Sequence, residues 1–269
     1  MDKYAARAPS RFSDRVLRLL ERVEHRTAAT AAEKEAIYRL RYEAYLRENF
    51  IEPTTEGRLY DEIYDETPNC WNIGTFIDGE LAGTVRVHVA AQQTDVLPSA
   101  SVFGDVIARR RAGRLIVDPT RFATKLEFSR RFPEMPYLTV RPGWMAGEHF
   151  DADYILATMR VEHQAYYKRV FGYQAWSEPR DYPLVNRKIV CMGLDYPAQR
   201  ERVEARYPFF RSTPEERENL FGERRSDFRR PGGWSDTNRQ LVERDEAGVA
   251  DRGARWAAGE FKRVQIFPA

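Results

Sequence analysis

Apolar positions near the start of the chain repeat at helical spacing. Val16, Leu19, Leu20 and Val23 form one stripe behind Ser13, which predicts a helix over 14–22. "VEHRTAAT" then reads as a short strand. Thr30 followed by Glu33 is a capping box, and it opens a helix over "AAEKEAIYRLRYEAYLRE". Ile37, Leu40 and Tyr45 mark the core face of that helix, with Arg41 close beside it. From Cys70 the period drops to two. "CWNIGTFIDGELAGTVRVHV" is a hairpin turning at Asp78-Gly79. In its second strand Leu81, Gly83, Val85, Val87 and Val89 share one face, and Thr84, Arg86 and His88 the other. "LPSASVFGDVIARRRAG" reads as a loop with a short helix. A strand over 115–123, a charged loop and a helix from Leu138 to Phe150 follow, although Pro142 and Gly143 threaten that helix near its start. "ADYILATMR" is a strand, "VEHQAYYKRVFG" a helix, and "YQAWSEP" and "NRKIVCMGLD" are strands. The predicted order from 23 to 196 is β-α-β-β-β-α-β-α-β-β, an α/β (α+β) domain with a mixed central sheet flanked by helices.

One of these strands is interrupted. In "RLIVDPTRFA" (114–123) an apolar run is broken by Asp118, Pro119 and Arg121. Proline has no N–H to give a sheet, so within sheets it sits at edges and bulges. The break is either an edge or a deliberate gap. Asp118 and Arg121 either carry chemistry there or form a partly buried salt bridge.

Composition narrows the class. Of 269 residues 42% are hydrophobic and 31% charged, an ordinary soluble balance, and no apolar run approaches a membrane span. The first twenty residues are charged and have no signal-peptide centre, so the expected location is the cytoplasm. Cys70 and Cys191 lack metal-type spacing and read as buried small hydrophobes. His88, His149 and His163 likewise lack ligand spacing, and no metal is expected. The net charge of +2 does not call for nucleic acid. Only six of the 43 basic residues are lysine, and the arginine that remains suits carboxylate and phosphate recognition through its planar fork. After Asp195 the composition shifts. "RYPFFRSTPEERENLFGER" offers a capped helix with Phe209, Phe210, Leu220 and Phe221 to bury, and residues 225–262 read as a loosely ordered charged tail. The expected division is 14–196 as the main α/β domain and 197–269 as an extension, a docked helix and then the tail.

The strand order resembles the GNAT acyltransferase fold, and "ILATMRVEHQAYYKRVFGYQAW" resembles its late strand–helix–strand. Many members place a Tyr four residues before the Gly of that segment. Here Lys168 holds that place before Gly172, and Tyr167 lies one earlier, which favours packing over a general-acid role for Tyr167. A narrower resemblance rests on "YRLRYEAYLRENFI", "DEIYDETPN", "GELAGTVRVHV", "VFGDVI" and "IVDPTRFA". Their succession resembles the FeeM-type long-chain N-acyl amino acid synthases and the related acyl-homoserine-lactone autoinducer synthases.

That resemblance implies catalytic roles for Asp118, Arg121 and Arg86. It places Arg41, Asp61 and Asp65 on the substrate side, and His88 and Phe103, in the quoted segments, are expected there with them. The autoinducer group usually has Glu where this chain has Asp118. GNAT folds receive a pantetheine arm where the fourth and fifth strands splay, so the Pro119 break is the expected acyl-donor slot. The usual diphosphate loop is replaced by "RRFPEMPYLTVRPGWMAG". Such loops aim helix N-terminal N–H groups at phosphate, so the resemblance implies no tightly bound cofactor. The donor expected is acyl-phosphopantetheine on an acyl carrier protein, with acyl-CoA the alternative. Carrier proteins are acidic, and Arg109, Arg110, Arg111, Arg130 and Arg131 form an expected docking patch.

The chemistry needs little from the enzyme. An α-amine (pKa about 8) and a thiol (about 8.5) form a competent nucleophile and leaving group, so positioning, an oxyanion donor and a proton acceptor suffice. Asp118 suits the proton, directly or through water. Arg86 suits the amino acid's carboxylate, or else pairs with Asp61 or Asp65. The expected product, an N-acyl amino acid, would associate with membranes. The rivals are an autoinducer synthase using S-adenosylmethionine, an acyl-CoA-dependent transferase, and an inactive fold used as a binding module.

Overall fold

The structure, a computed structural model, describes residues 11–182, 185–222 and Phe228. The expected loosely ordered tail at 225–262 lies, apart from Phe228, outside the described residues. The chain runs α1 (Arg11–Leu20), β1 (Val23–Thr27), α2 (Ala31–Arg47), α3 (Glu62–Asp65), β2 (Cys70–Ile77), β3 (Glu80–Ala90), α4 (Ala100–Arg111), β4 (Ile116–Thr124), α5 (Leu126–Arg131) and α6 (Met135–His149). It continues through β5 (Tyr154–Arg160), a 3₁₀ turn (Val161–His163), α7 (Gln164–Phe171), β6 (Gln174–Ala175), β7 (Arg180–Tyr182), β8 (Val185–Asp195), α8 (Tyr196–Arg206), a second 3₁₀ turn (Pro208–Phe210) and α9 (Pro214–Phe221).

Eight strands form one sheet in the order β1-β2-β3-β4-β5-β8-β6, with β7 also paired to β8. Every pairing is antiparallel except β4 with β5. The Thr30–Glu33 capping box forms as expected, and the hairpin turns with both Asp78 and Gly79 at positive φ, the geometry its two-residue loop demands. Val85, Val87 and Val89 pack with α1 and α6 on one face, while Arg86 and His88 are buried on the other, beneath α2 and α4. Leu81 departs from the predicted alternation. A register shift opposite Thr75/Phe76 turns it towards α2, where it packs near Tyr38 and Leu40.

The helices differ most from expectation. α4 is a full helix kinked at Phe103, the predicted charged loop contains α5, and α8 follows directly on β8. Ser13 is a buried residue inside α1 rather than its cap. "YQAWSEP" contributes only the two residues of β6. In the extension, Thr213 and Glu216 form a second capping box, and Phe209, Phe210, Leu220, Phe221 and Phe228 join the same core as Trp71 and Trp144. Arg141 of α6 anchors it, donating to the carbonyls of Phe209 (2.9 Å) and Arg211 (2.7 Å) and to Glu216 (3.0 Å). Cys70 and Cys191 are buried free thiols, as the sequence suggests.

α6 begins three residues earlier than predicted and carries Pro142 in its interior. Proline at 142 cannot donate to the carbonyl four residues back, that of Leu138. The His25 ring of β1 supplies the missing donor, its Nε2–H lying 3.0 Å from Leu138 O. Burial, aided by the Arg141 charge, lowers the His25 pKa to about 3, so the ring stays neutral and keeps that donor. His25→Phe orphans a buried carbonyl and is expected to cost about 1–3 kcal/mol near neutral pH, measured by urea unfolding. Below pH 6.5 the unfolded wild type takes up a proton on His25 that the folded chain refuses until about pH 3. The stability gap between wild type and variant should therefore shrink by about 1.4 kcal/mol per pH unit below 6.5 and change sign before pH 3.

Candidate active site

β4 and β5 pair only at Ile116↔Tyr154 and Val117↔Ile155. Leu115 O accepts from Tyr154 N–H (3.2 Å), so by alternation the backbone groups of 115, 117 and 119 face β5. The next donor in that ladder is residue 119, and Pro119 has none. Its ring is pinned on the opposite face by α6, where a Cβ on Gly143 would lie 2.8 Å from Pro119 Cγ. β4 stays registered to β3 through Thr120, while β5 diverges. The interruption is a gap on the β5 side of an interior strand, not an edge.

A cleft of about 200 Å³ opens where the strands part. Thr120, Arg121 and Phe122 line it from β4, Thr158, Met159 and Arg160 from β5, and Tyr45 and Tyr167 from α2 and α7. Arg121 has φ +57°, and the ladder with β3 shifts register around it. This kink breaks the strand's alternation, so that consecutive residues Thr120 and Arg121 both reach the cleft.

Beneath the cleft lies a buried charge network. Arg41 of α2 donates to Asp65 Oδ1 (2.8 Å) and Asn72 Oδ1 (2.6 Å), and Asn72 Nδ2 donates to the Asp65 carbonyl (3.0 Å). Arg86 Nη1 lies 3.3 Å from the same Asp65 oxygen, and its Nε donates to Thr120 Oγ1 at 3.2 Å. Arg121 Nη2 lies 3.6 Å from Asp61 Oδ2. Burial pushes Asp65 up, but Arg41 and then Arg86 more than reverse this and hold its carboxyl below the usual range. Asp61 is shifted upward by burial, only partly offset by Arg86 and Arg121. Three guanidinium groups thus face two carboxylates. Arg86 Nη1, buried beside the cleft, completes no hydrogen bond of good geometry within the protein.

Asp118 and Arg121 do not form the salt bridge held open from the sequence. Asp118 is fully buried and accepts from Ser99 twice, Oδ2 from the backbone N–H (2.9 Å) and Oδ1 from the hydroxyl (2.7 Å). Burial raises its pKa despite those bonds. Ser99 stands between Asp118 and the cleft, which it lines. Of the expected substrate-side residues, Arg41, Asp61 and Asp65 form the network under the cleft. His88 is a buried strut whose Nε2–H donates to Tyr64 O (3.0 Å), its pKa lowered to about 3 chiefly by burial. Phe103 is buried under α4 with Ile107, Ile116 and Leu156 rather than on the cleft wall. Tyr167 both packs on Tyr173 and lines the cleft. Ser99, Thr120, Thr158, Tyr45 and Phe50 also line it and carry no sequence signal of their own, except that Ser99 in "LPSAS" stands just before a helix.

The five arginines expected to form one docking patch are divided. Arg109–Arg111 close α4 ahead of β4, whereas Arg130 and Arg131 close α5 beyond its other end, roughly 25 Å of strand away and across the sheet. Arg111 is committed to the carbonyls of Gln92 and Asp95, and Arg110 stacks on Trp176 (4.6 Å). Arg130 and Arg131 are exposed at the end of α5, Arg131 over the Phe132 ring (5.0 Å) and near Asp78 of the β2–β3 turn, and neither lines the cleft. The N-terminus of α6 offers little to a phosphate. Met135 N–H donates to Phe132 O, Tyr137 and Leu138 N–H donate to Glu134 O, and Pro133 and Pro136 have no N–H. Glu134, buried and paired with Arg15 at 2.8 Å, puts a carboxylate there instead. Among the described residues no His, Cys, Asp and Glu group is arranged to hold a metal ion.

Known structures share this architecture. FeeM, an N-acyl amino acid synthase from uncultured soil microbes, superposes with a TM-score of 0.56 at 18% identity, covering 67% of this chain and 94% of its own. The acyl-homoserine-lactone synthase LasI gives 0.53 at 13% identity, over 69% and 94%. The CoA-dependent acyl-homoserine-lactone synthase BjaI gives 0.52 at 14%, over 70% and 88%. These likenesses establish a GNAT-like acyltransferase fold. No curated protein sequence matches. Residues 36–195, more than half of the chain, match the family model of the N-acyl amino acid synthase FeeM. With its splayed strands and arginine-lined cleft, the chain therefore belongs to the FeeM family of N-acyl amino acid synthases and is an N-acyltransferase.

Proposed function

We propose that the enzyme moves a long-chain fatty acyl group from the thioester of an acyl carrier protein to the α-amine of an amino acid. The observation that carries this reading is the cleft opened by the β4–β5 separation at Pro119, with Arg86 and Arg121 in its wall. A thioester arm lying in the gap can bond to strand groups that no neighbour uses. The surplus guanidinium charge suits the acceptor's carboxylate, held by a planar fork. Asp118 receives the amine's proton, and its burial makes it a stronger base than an exposed carboxylate. The blocked N-terminus of α6 and the carboxylate of Glu134 argue against gripping a coenzyme A diphosphate, whereas a carrier-bound pantetheine has one phosphate. Arg130 and Arg131, exposed at the end of α5, are the basic pair assigned to meet an acidic carrier.

Expression in a bacterial host should add long-chain N-acyl amino acids to organic extracts, read by mass spectrometry. Folded protein without new N-acyl amino acid would refute the assignment. Arg86→Lys, which loses the fork, should raise KM for the amino acid about 10–100-fold. Wild type should discriminate against the corresponding amino acid amide, and the variant should not.

For the donor, turnover with acyl carrier protein should exceed turnover with the same acyl group on coenzyme A. Reversing charge with Arg130→Glu and Arg131→Glu should raise KM for the carrier about tenfold at low salt and leave kcat near wild type. The same change at Arg109 and Arg110 should do little.

A further inference from the structure

Asp118 carries the proton-accepting role in the reading above, yet it is sealed from the cleft. Ser99 is its link outward. The Ser99 hydroxyl donates to Asp118 Oδ1 at 2.7 Å, and its oxygen lies 3.2 Å from Thr158 Oγ1. Both hydroxyl residues line the cleft. A serine oxygen has one proton and two lone pairs. With its proton committed to Asp118, the Thr158 hydroxyl is the donor between the two. That leaves one lone pair on Ser99 Oγ for a donor in the cleft. Capping α4 does not explain this arrangement. Ser99 stands at the N-cap, but its side chain makes no bond to its own helix, and its backbone N–H already ties Asp118 to the helix start.

We propose that Ser99 is a catalytic residue, the proton relay between the acceptor amine and Asp118. The proposal rests on the acyl-transfer reading. The neutral amine attacks the thioester carbonyl and the C–N bond forms. An N–H proton of the adduct passes to Ser99 Oγ as the Ser99 proton passes to Asp118 Oδ1. Collapse of the adduct breaks the C–S bond, and the departing thiolate regains the proton by the reverse route, returning Ser99 and Asp118 to their starting states. Arg86 is the charged neighbour that favours the ionised Asp118 before the transfer, against the raising effect of burial. Across the ladder with β3, His88 opposes Asp118 as a neutral ring.

The test uses the full-length chain with hexadecanoyl-loaded acyl carrier protein and the mixed proteinogenic amino acids, products being read by mass spectrometry. Ser99→Ala should lower kcat about 10²-fold and leave KM for both substrates within about threefold. Ser99→Thr, which keeps the hydroxyl, should recover most of the rate. Asp118→Asn should cost about as much as Ser99→Ala, and the double variant no more than either, because both remove one path. Should Asp118→Asn fail to fold, the Ser99→Ala and Ser99→Thr pair decides. A wild-type kcat in Ser99→Ala, a loss that Thr does not rescue, or losses that multiply in the double variant would each overturn the relay while leaving acyl transfer intact. No N-acyl product from the wild type would overturn the acyl-transfer reading and the relay with it.

Discussion

The site depends on a hydrogen bond that cannot form. After Val117 the ladder between β4 and β5 needs a donor at residue 119, and proline has none. An interior parallel pair would otherwise tend to extend, since each unpaired buried N–H or C=O costs about 1–3 kcal/mol. Two further features hold the gap open. α6 presses Gly143 against the Pro119 ring so closely that no side chain fits between them. The kink at Arg121 then alters the strand's alternation and hands two successive side chains to the cleft. The missing donor opens only the β5 side of β4. The antiparallel ladder with β3 runs on through Thr120, shifts register at Arg121 and resumes at Ala123.

Electrostatics follows from that geometry. Arg41, Arg86 and Arg121 come from three different elements and converge on Asp61 and Asp65 of the α3 segment. Burying so many charges is costly unless each is paired. Arg41 donates both terminal nitrogens, to Asp65 and Asn72, leaves its Nε without an acceptor and does not line the cleft, which makes it a support rather than a ligand. Arg86 shares the Asp65 oxygen at longer range and keeps one nitrogen without a well-aligned acceptor. Such a partly satisfied guanidinium beside an open cleft gains most from an incoming carboxylate, because part of its desolvation cost is already met by the fold. The network therefore sorts the arginines into one that holds the loop and two that can still receive an anion.

Much of this was legible in the sequence, and its limits have physical causes. Local chemistry announces the capping box at Thr30, the Asp78-Gly79 turn and the break at Pro119, because each is fixed by backbone preferences of neighbouring residues. Period-two patterning placed Arg86 and His88 on the face away from α6. Pairing partners far apart in sequence leave no such trace. Arg121 meets Asp61 sixty positions earlier in the chain, and Asp118 meets Ser99, so the nearby acid and base that look like a pair along the strand go separate ways. The full length of α4, read only as a short helix, and the whole of α8 were hidden for another reason. Both mix charge and apolar residues without a clean stripe, α4 is kinked, and each depends on packing against the sheet rather than on its own periodicity. The division of the basic patch was also unreadable, since only the sheet sets Arg109–Arg111 and Arg130–Arg131 at opposite ends of β4.

The same packing logic links the extension to the donor question. Its anchor is Arg141, one turn along α6 from the carbonyl that His25 caps. α1 meets the other end of α6 through the Arg15–Glu134 pair. The helix that many GNAT folds begin at a phosphate begins here at a carboxylate, and its start is braced by α1 and its middle by residues 209–216. A helix whose start and middle are braced in this way keeps Gly143 against Pro119. On this view the crowded start of α6 and the firmness of the strand gap share one cause. The contacts that brace the start of α6 also keep its middle in place against Pro119.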